Sequence, residues 1–156
     1  MRQGPIQKRQ RVMFKRQIGT QIRHNIMKLL LDTCTIIWSI SNPKELSKKA
    51  QSLLLDEDSE IFVSPMSCGE IACLVERKKI QLDRHWKLWF RHFVEKNGWG
   101  VLPVDLPIIE EAYSLPDVFH RDPVDRILVA TSRLFQATLL TADQNIIRYP
   151  HVKTEW

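Results

Sequence analysis

From Met27 onward the chain alternates short apolar runs with longer amphipathic stretches. MKLLLD reads as a buried strand near 28–32, followed by helices near 33–41 and 44–55 and by a second strand, EIFVS, near 60–64. Strands that alternate with helices imply a parallel sheet. A helix is expected over about 67–79 and another over about 83–96, before Asn97-Gly98 breaks the chain ahead of GVLPV near 100–104. Helices near 107–114 and 123–136 then lead to the strand ATLLT, and VKTEW has the pattern of a short closing strand. The expected architecture is one three-layer α/β/α domain over 27–156, its central sheet mainly parallel, with no repeat and no internal linker.

Within that frame Trp86, Trp89, Phe90 and Phe93 recur at i, i+3, i+4 and i+7, which marks one broad apolar helix face. Core packing is its expected use; a partner or dimer surface is the competing one. Residues 1–26 have no sustained apolar period and are expected to be disordered. They also lack the apolar segment of a secretory signal. Met27, directly ahead of the first strand, reads as a natural start, with the leader an upstream extension. The competing readings are a basic RNA-binding arm and an Arg-rich organellar targeting peptide, the latter weakened by a single hydroxyl residue, Thr20.

Charge changes the picture less than it first suggests. The 156 residues carry a formal +5, but residues 1–26 hold seven Lys/Arg and no acid, which leaves 16 basic against 18 acidic, or −2, in the rest. The high pI therefore belongs to the leader. No apolar run approaches the ~20 residues of a transmembrane helix. Cys34, Cys68 and Cys73 form no CxxC pair and have no His at zinc-finger spacing, so they are expected to be buried apolar residues in a reducing, cytoplasmic setting.

The candidate chemistry is carboxylate chemistry. Asp32 closes the first strand and Asp143 follows TLLT by two residues, so both are expected at the carboxyl edge of the sheet, where open α/β sheets bind ligands. Glu70 and Asp125 are expected in first helical turns at that same edge. Each has an ordinary alternative: Ser67 with Glu70 fits a capping box, Asp122 with Pro123 fits a helix start, and Asp32 or Asp143 fits a cap. Four carboxylates at one rim are harder to explain as caps. They would repel one another unless neutralised, and oxygen-only donors suit Mg²⁺ or Mn²⁺. Cations held this way clamp a phosphodiester and activate water without a Ser, Cys or His nucleophile. Thr33 and Thr141 are placed to orient carboxylates or water, while His120, Arg121 and Arg126 are candidate phosphate contacts. A phosphoryl-accepting receiver domain shares such an edge, but residues 97–152 contain no Lys to accompany a phosphoaspartate.

The order LLLDT, SCGE on a helix, HRDPVDRILVATS and LLTAD resembles the PIN-domain ribonucleases, specifically the VapC-like toxins of toxin-antitoxin pairs. The resemblance spans residues 27–156, and HRDPVDR with TLLTAD is its most specific part. It implies Asp32, Glu70, Asp125 and Asp143 as metal ligands, with Asp122 as a neighbouring carboxylate and Thr141 as the hydroxyl that accompanies the last Asp. It further implies a homodimer that cleaves RNA with Mg²⁺ or Mn²⁺ and is silenced by a cognate antitoxin. The alternatives are a DNA-directed nuclease and a non-catalytic module that binds an antitoxin or RNA. The basic leader departs from the pattern, since these toxins begin close to their first strand.

Overall fold

The computed structural model describes residues 26–156. The expectations made for the leader fall on residues outside those described, Ile26 apart.

Five strands form one sheet in which every pairing is parallel: β1 (Met27–Leu31), β2 (Ser59–Val63), β3 (Gly100–Val101), β4 (Thr138–Leu140) and β5 (Thr154–Glu155), in the order β3-β2-β1-β4-β5. Leu29 pairs with Ile61 on one side and Thr138 on the other, and Leu31 pairs with Leu140. Alternation along each strand sends successive side chains to opposite faces. Leu29 and Leu31, with Ile61, Val63 and Leu140, enter one core; Leu30, Phe62 and Leu139 face the other. This explains the unbroken LLL run: β1 is central and covered on both sides, so it has no polar face to write.

The first core is roofed by α1 (Thr33–Ser41), α2 (Lys48–Leu55), α3 (Pro65–Glu76) and α4 (Trp86–Asn97) through Ile36, Ala50, Ile71, Trp89 and Phe90. The second is covered by α6 (Pro123–Phe135) and α7 (Gln144–Ile147) through Leu128, Val129 and Ile146. The short α5 (Leu106–Ala112) packs Ile108 and Ala112 against Ile127 and Ala130 of α6. The three expected layers are present. The aromatic stripe of α4 is core, with Trp89 and Phe90 buried and Trp86 and Phe93 packed beside them.

Several boundaries differ from expectation for identifiable reasons. The helix expected over 44–55 is a 3₁₀ turn, Pro43–Glu45, followed by α2, which Ser47 caps by accepting from Ala50 N at 2.9 Å. The strand expected over 100–104 ends at Val101: Leu102 N still donates to Val63 O at 3.0 Å, but Val63 is the last residue of β2 and the chain beyond it turns into α3 at Ser64-Pro65, so the rest of the run has nothing to pair with. α4 starts three residues late, after His85, and ends on Gly98, whose φ of +64 lets the chain turn down into β3.

Candidate acidic site at the carboxyl edge

β1 is the point where the strand order turns, since the chain proceeds from it to β2 and β3 on one side and then returns to β4 and β5 on the other. Open α/β sheets bind ligands beyond the carboxyl ends of the strands at such a point. Asp32 immediately follows β1, and Thr141 and Asp143 follow β4.

Asp32 is the N-cap of α1, its Oδ1 accepting from Thr35 N at 2.7 Å, and it is only 8% exposed. Its other oxygen, Oδ2, accepts a short hydrogen bond from Thr141 Oγ1, and that same hydroxyl accepts from Asp143 N at 3.1 Å. One threonine thus ties the ends of β1 and β4 together. Thr35 adds a second tie by donating its hydroxyl to Leu140 O at 3.0 Å. Asp143 caps α7, accepting from Asn145 N at 2.7 Å. Asp122 caps α6, with Pro123 at the first helical position, and accepts from Val124 N and Asp125 N at 2.9 and 3.1 Å. The capping readings of Asp32, Asp122 and Asp143 are therefore all realised. Capping uses one oxygen of each, so at every one of these positions a second carboxylate oxygen is not engaged in the cap.

The proposed Ser67–Glu70 capping box is not formed. α3 begins two residues earlier, with Ser64 as cap and Pro65 at its first position, so Glu70 lies in the second turn. The cause is the Ser-Pro pair, a stronger start signal than the one taken from Ser67. Ser67 is instead fully buried beside Thr33 Oγ1 at 3.2 Å, and Thr33 donates to Glu70 Oε2 at 2.6 Å. Ser67 and Thr35 are supports that the sequence reading missed; both stand in the motifs, but which way a hydroxyl turns depends on the neighbouring helix.

Electrostatics bind these groups into one cluster. Burial raises Asp125, the nearby Asp122, Asp143, Glu70 and Asp32 add to the effect, and the carboxyl titrates at about 7. Burial also lifts Asp32 above the ordinary carboxylate value against the hydrogen bonds from Thr141 and Thr35, with Asp143 contributing in the same direction. Cys34, on α1, is pushed up to about 11 by burial and then by Asp32, Glu70, Asp143 and Asp125. The expectation that all three cysteines are buried fails: Cys34 and Cys73 are exposed and Cys68 is intermediate. Cys34 sits on the first turn of α1 facing away from the sheet, and its thiol is set beside negative charge, which makes it a poor nucleophile.

Of the basic candidates, His120 Nε2 stands 3.3 Å from Asp125 Oδ2, and Arg121 is exposed. Arg126 has a different use from the one expected of it. Its guanidinium donates to Ala112 O at 3.0 Å and Phe119 O at 2.9 Å and lies over the rings of Tyr113 and Phe119. It fastens the 113–122 loop to the first turn of α6.

A cation fits the donor set chemically: hard oxygen donors only, burial and then neighbouring carboxylates that raise Asp125 and Asp32, and hydroxyls that hold the carboxylates in place. Among the described residues, no group of three or more His, Cys, Asp or Glu is gathered closely enough to hold a metal ion. The arrangement is an open acidic rim.

The PIN domain family model matches residues 29–152. Ribonuclease VapC22 of Mycobacterium tuberculosis is 30% identical over 131 residues, covering 82% of this chain and 98% of that protein. Among solved structures, VapBC2 from Rickettsia felis bound to a promoter DNA fragment aligns with a TM-score of 0.62 at 17% identity, covering 83% of this chain and 99% of that one. A toxin-antitoxin complex from Klebsiella pneumoniae aligns at 0.59 and 17% identity, over 82% and 96% of the two chains, and both likenesses are of fold. With the family match over most of its length and a curated relative covered almost end to end, this chain belongs to the PIN-domain family.

Proposed function

We propose that this chain is a metal-dependent endoribonuclease, the toxin of a toxin-antitoxin pair, which works in the cytoplasm as a homodimer and is silenced by a cognate antitoxin. The observation that supports the reading is the placement of Asp32 and Asp143 at the carboxyl ends of β1 and β4, joined through Thr141, with Glu70 held by Thr33, the neighbour of Asp32. The relative named as a ribonuclease and the neighbours crystallised as toxin-antitoxin complexes support it.

Divalent-cation dependence goes with the PIN family. Asp32, Glu70, Asp125 and Asp143 would hold Mg²⁺ or Mn²⁺, which when bound neutralises the rim, polarises the phosphate and activates water. The chain's own residues supply the preorganisation. Thr141 holds Asp32 against Asp143, and Thr33 holds Glu70, so neither carboxylate has to reorient as a phosphodiester enters. Asp122 fixes the start of α6 and so the position of Asp125. His120, beside Asp125, and the exposed Arg121 that follows it in the chain face the incoming phosphate in this reading.

The test is incubation of the full chain with total RNA and Mg²⁺ or Mn²⁺, with EDTA and Asp32→Asn as paired controls. Cleavage that both controls abolish is the expected result. Cleavage of DNA in place of RNA would redirect the same site. No cleavage of either, with no heat on adding Mn²⁺, would leave the carboxylates as caps on a non-catalytic binding module.

A further inference from the structure

Charge in the described domain is segregated. Residues 77–96 carry seven Lys/Arg against Asp83 and Glu95, a net +5, while the remainder of 27–156 has nine basic against 16 acidic, a net −7. A polyanion is therefore repelled by most of the domain, its acidic rim included, and attracted by one stretch.

That stretch is built into the fold. Trp89 and Phe90 anchor one face of α4 in the core, which directs Lys87 and Arg91 outward, and Lys96 in the last turn is exposed as well. The cations are partly ordered on aromatic rings: Lys87 lies 5.3 Å from the Trp86 centroid, and Arg84 and Lys96 lie 5.8 and 5.7 Å from that of Phe93. At one end, the α3–α4 connection forms a groove of about 580 Å³ lined by Lys78, Lys79, Gln81, Arg84, His85 and Trp86. At the other, α4 leads through Gly98 into β3, whose Gly100 and Val101 pair with Phe62 and Val63 at the carboxyl end of β2. Between the two, α4 packs through Trp89 and Phe90 against α3, the helix that carries Glu70. The basic face thus runs from the groove to the acidic rim. Cationic side chains interleaved with aromatic rings are the means by which single strands are held without sequence readout.

We infer that the outer face of α4 and the α3–α4 connection form a backbone track that binds single-stranded RNA and leads it to the rim. The inference rests on the ribonuclease reading and adds to it where the substrate lies. Lys87→Ala/Arg91→Ala is the test variant in the full chain, with Lys44→Ala/Lys48→Ala as a control of equal charge change. Binding of fluorescein-labelled oligouridylate is followed by anisotropy in EDTA across a salt series, and melting curves establish that both variants fold as the parent does. At ~0.7 per single-strand phosphate contact, the slope of log affinity against log salt is expected to fall by about 1.4 in the test variant, with affinity on the order of tenfold weaker at 0.1 M salt. The control is expected to match the parent. Equal affinity and slope in test variant and parent overturn the track. So does retained RNA binding with lost binding of polyglutamate, which assigns the face to an acidic polypeptide. A parent chain that cleaves RNA while the variant binds it normally refutes the track alone; a parent that cleaves no RNA under any divalent cation refutes the ribonuclease reading and the track with it.

Discussion

Asp32 serves two demands that oppose each other. Capping α1 and accepting from Thr141 stabilise its carboxylate, while burial and the charge of Asp143 disfavour it. Asn caps helices about as well as Asp. Asp32→Asn should therefore abolish RNA cleavage while leaving the melting temperature equal to the parent's or higher, a pairing that activity assays and thermal melts check together. Asp125 carries the clearest pH signature. Its folded value of about 7 lies above its ordinary 3.8, so the folded state binds more protons than the unfolded chain between those values, and stability declines as pH rises through that window. In EDTA the protein should melt lower at pH 7.5 than at pH 5.5, and Mn²⁺ should raise the melting temperature more at the higher pH. A flat profile in EDTA would remove the repulsion argument. At this scale the carboxylates were legible because strand ends and helix starts announce themselves in sequence. The roles of Ser67 and Arg126 were not, since each is decided by what a distant segment places opposite: Thr33 for one, the carbonyls of Ala112 and Phe119 for the other.

Helices were legible through their periodicity and their starts only where cap and proline coincided with the acidic motif, as at Asp122-Pro123. At α3 the Ser67–Glu70 spacing mimics a capping box and masks the Ser64-Pro65 pair that sets the start. The two-residue length of β3 was not legible because an apolar run does not reveal where its neighbour β2 stops and leaves it unpaired. Within α3, Gly69 is exposed, and a Cβ there would meet nothing within 4 Å. Helix propensity favours Ala over Gly by about 1 kcal/mol at such a position. Gly69→Ala should accordingly raise stability by about that amount, read by denaturant melts. If RNA passes close to α3 beside Glu70, the same change should lower kcat/KM, so that stability and activity move in opposite directions.

At the scale of the molecule, the alternating strand pattern and its crossovers were enough to place β1 and β4 side by side, and with them the site. Register was not legible, because every inner strand is apolar on both faces and tolerates a shift on paper that packing forbids. Leu30 illustrates this: it is fully buried on the α6 and α7 side while its neighbours Leu29 and Leu31 fill the opposite core. Leu30→Ala should cost about 2–5 kcal/mol by equilibrium unfolding, a large part of a domain's total stability.

The sheet ends at both sides in strands of two residues, β3 and β5. Long bare edges invite other chains to add to them; here each border offers hardly any backbone to copy. The chain on its own would then stay dispersed rather than seed fibres, and a thioflavin assay on it should remain dark.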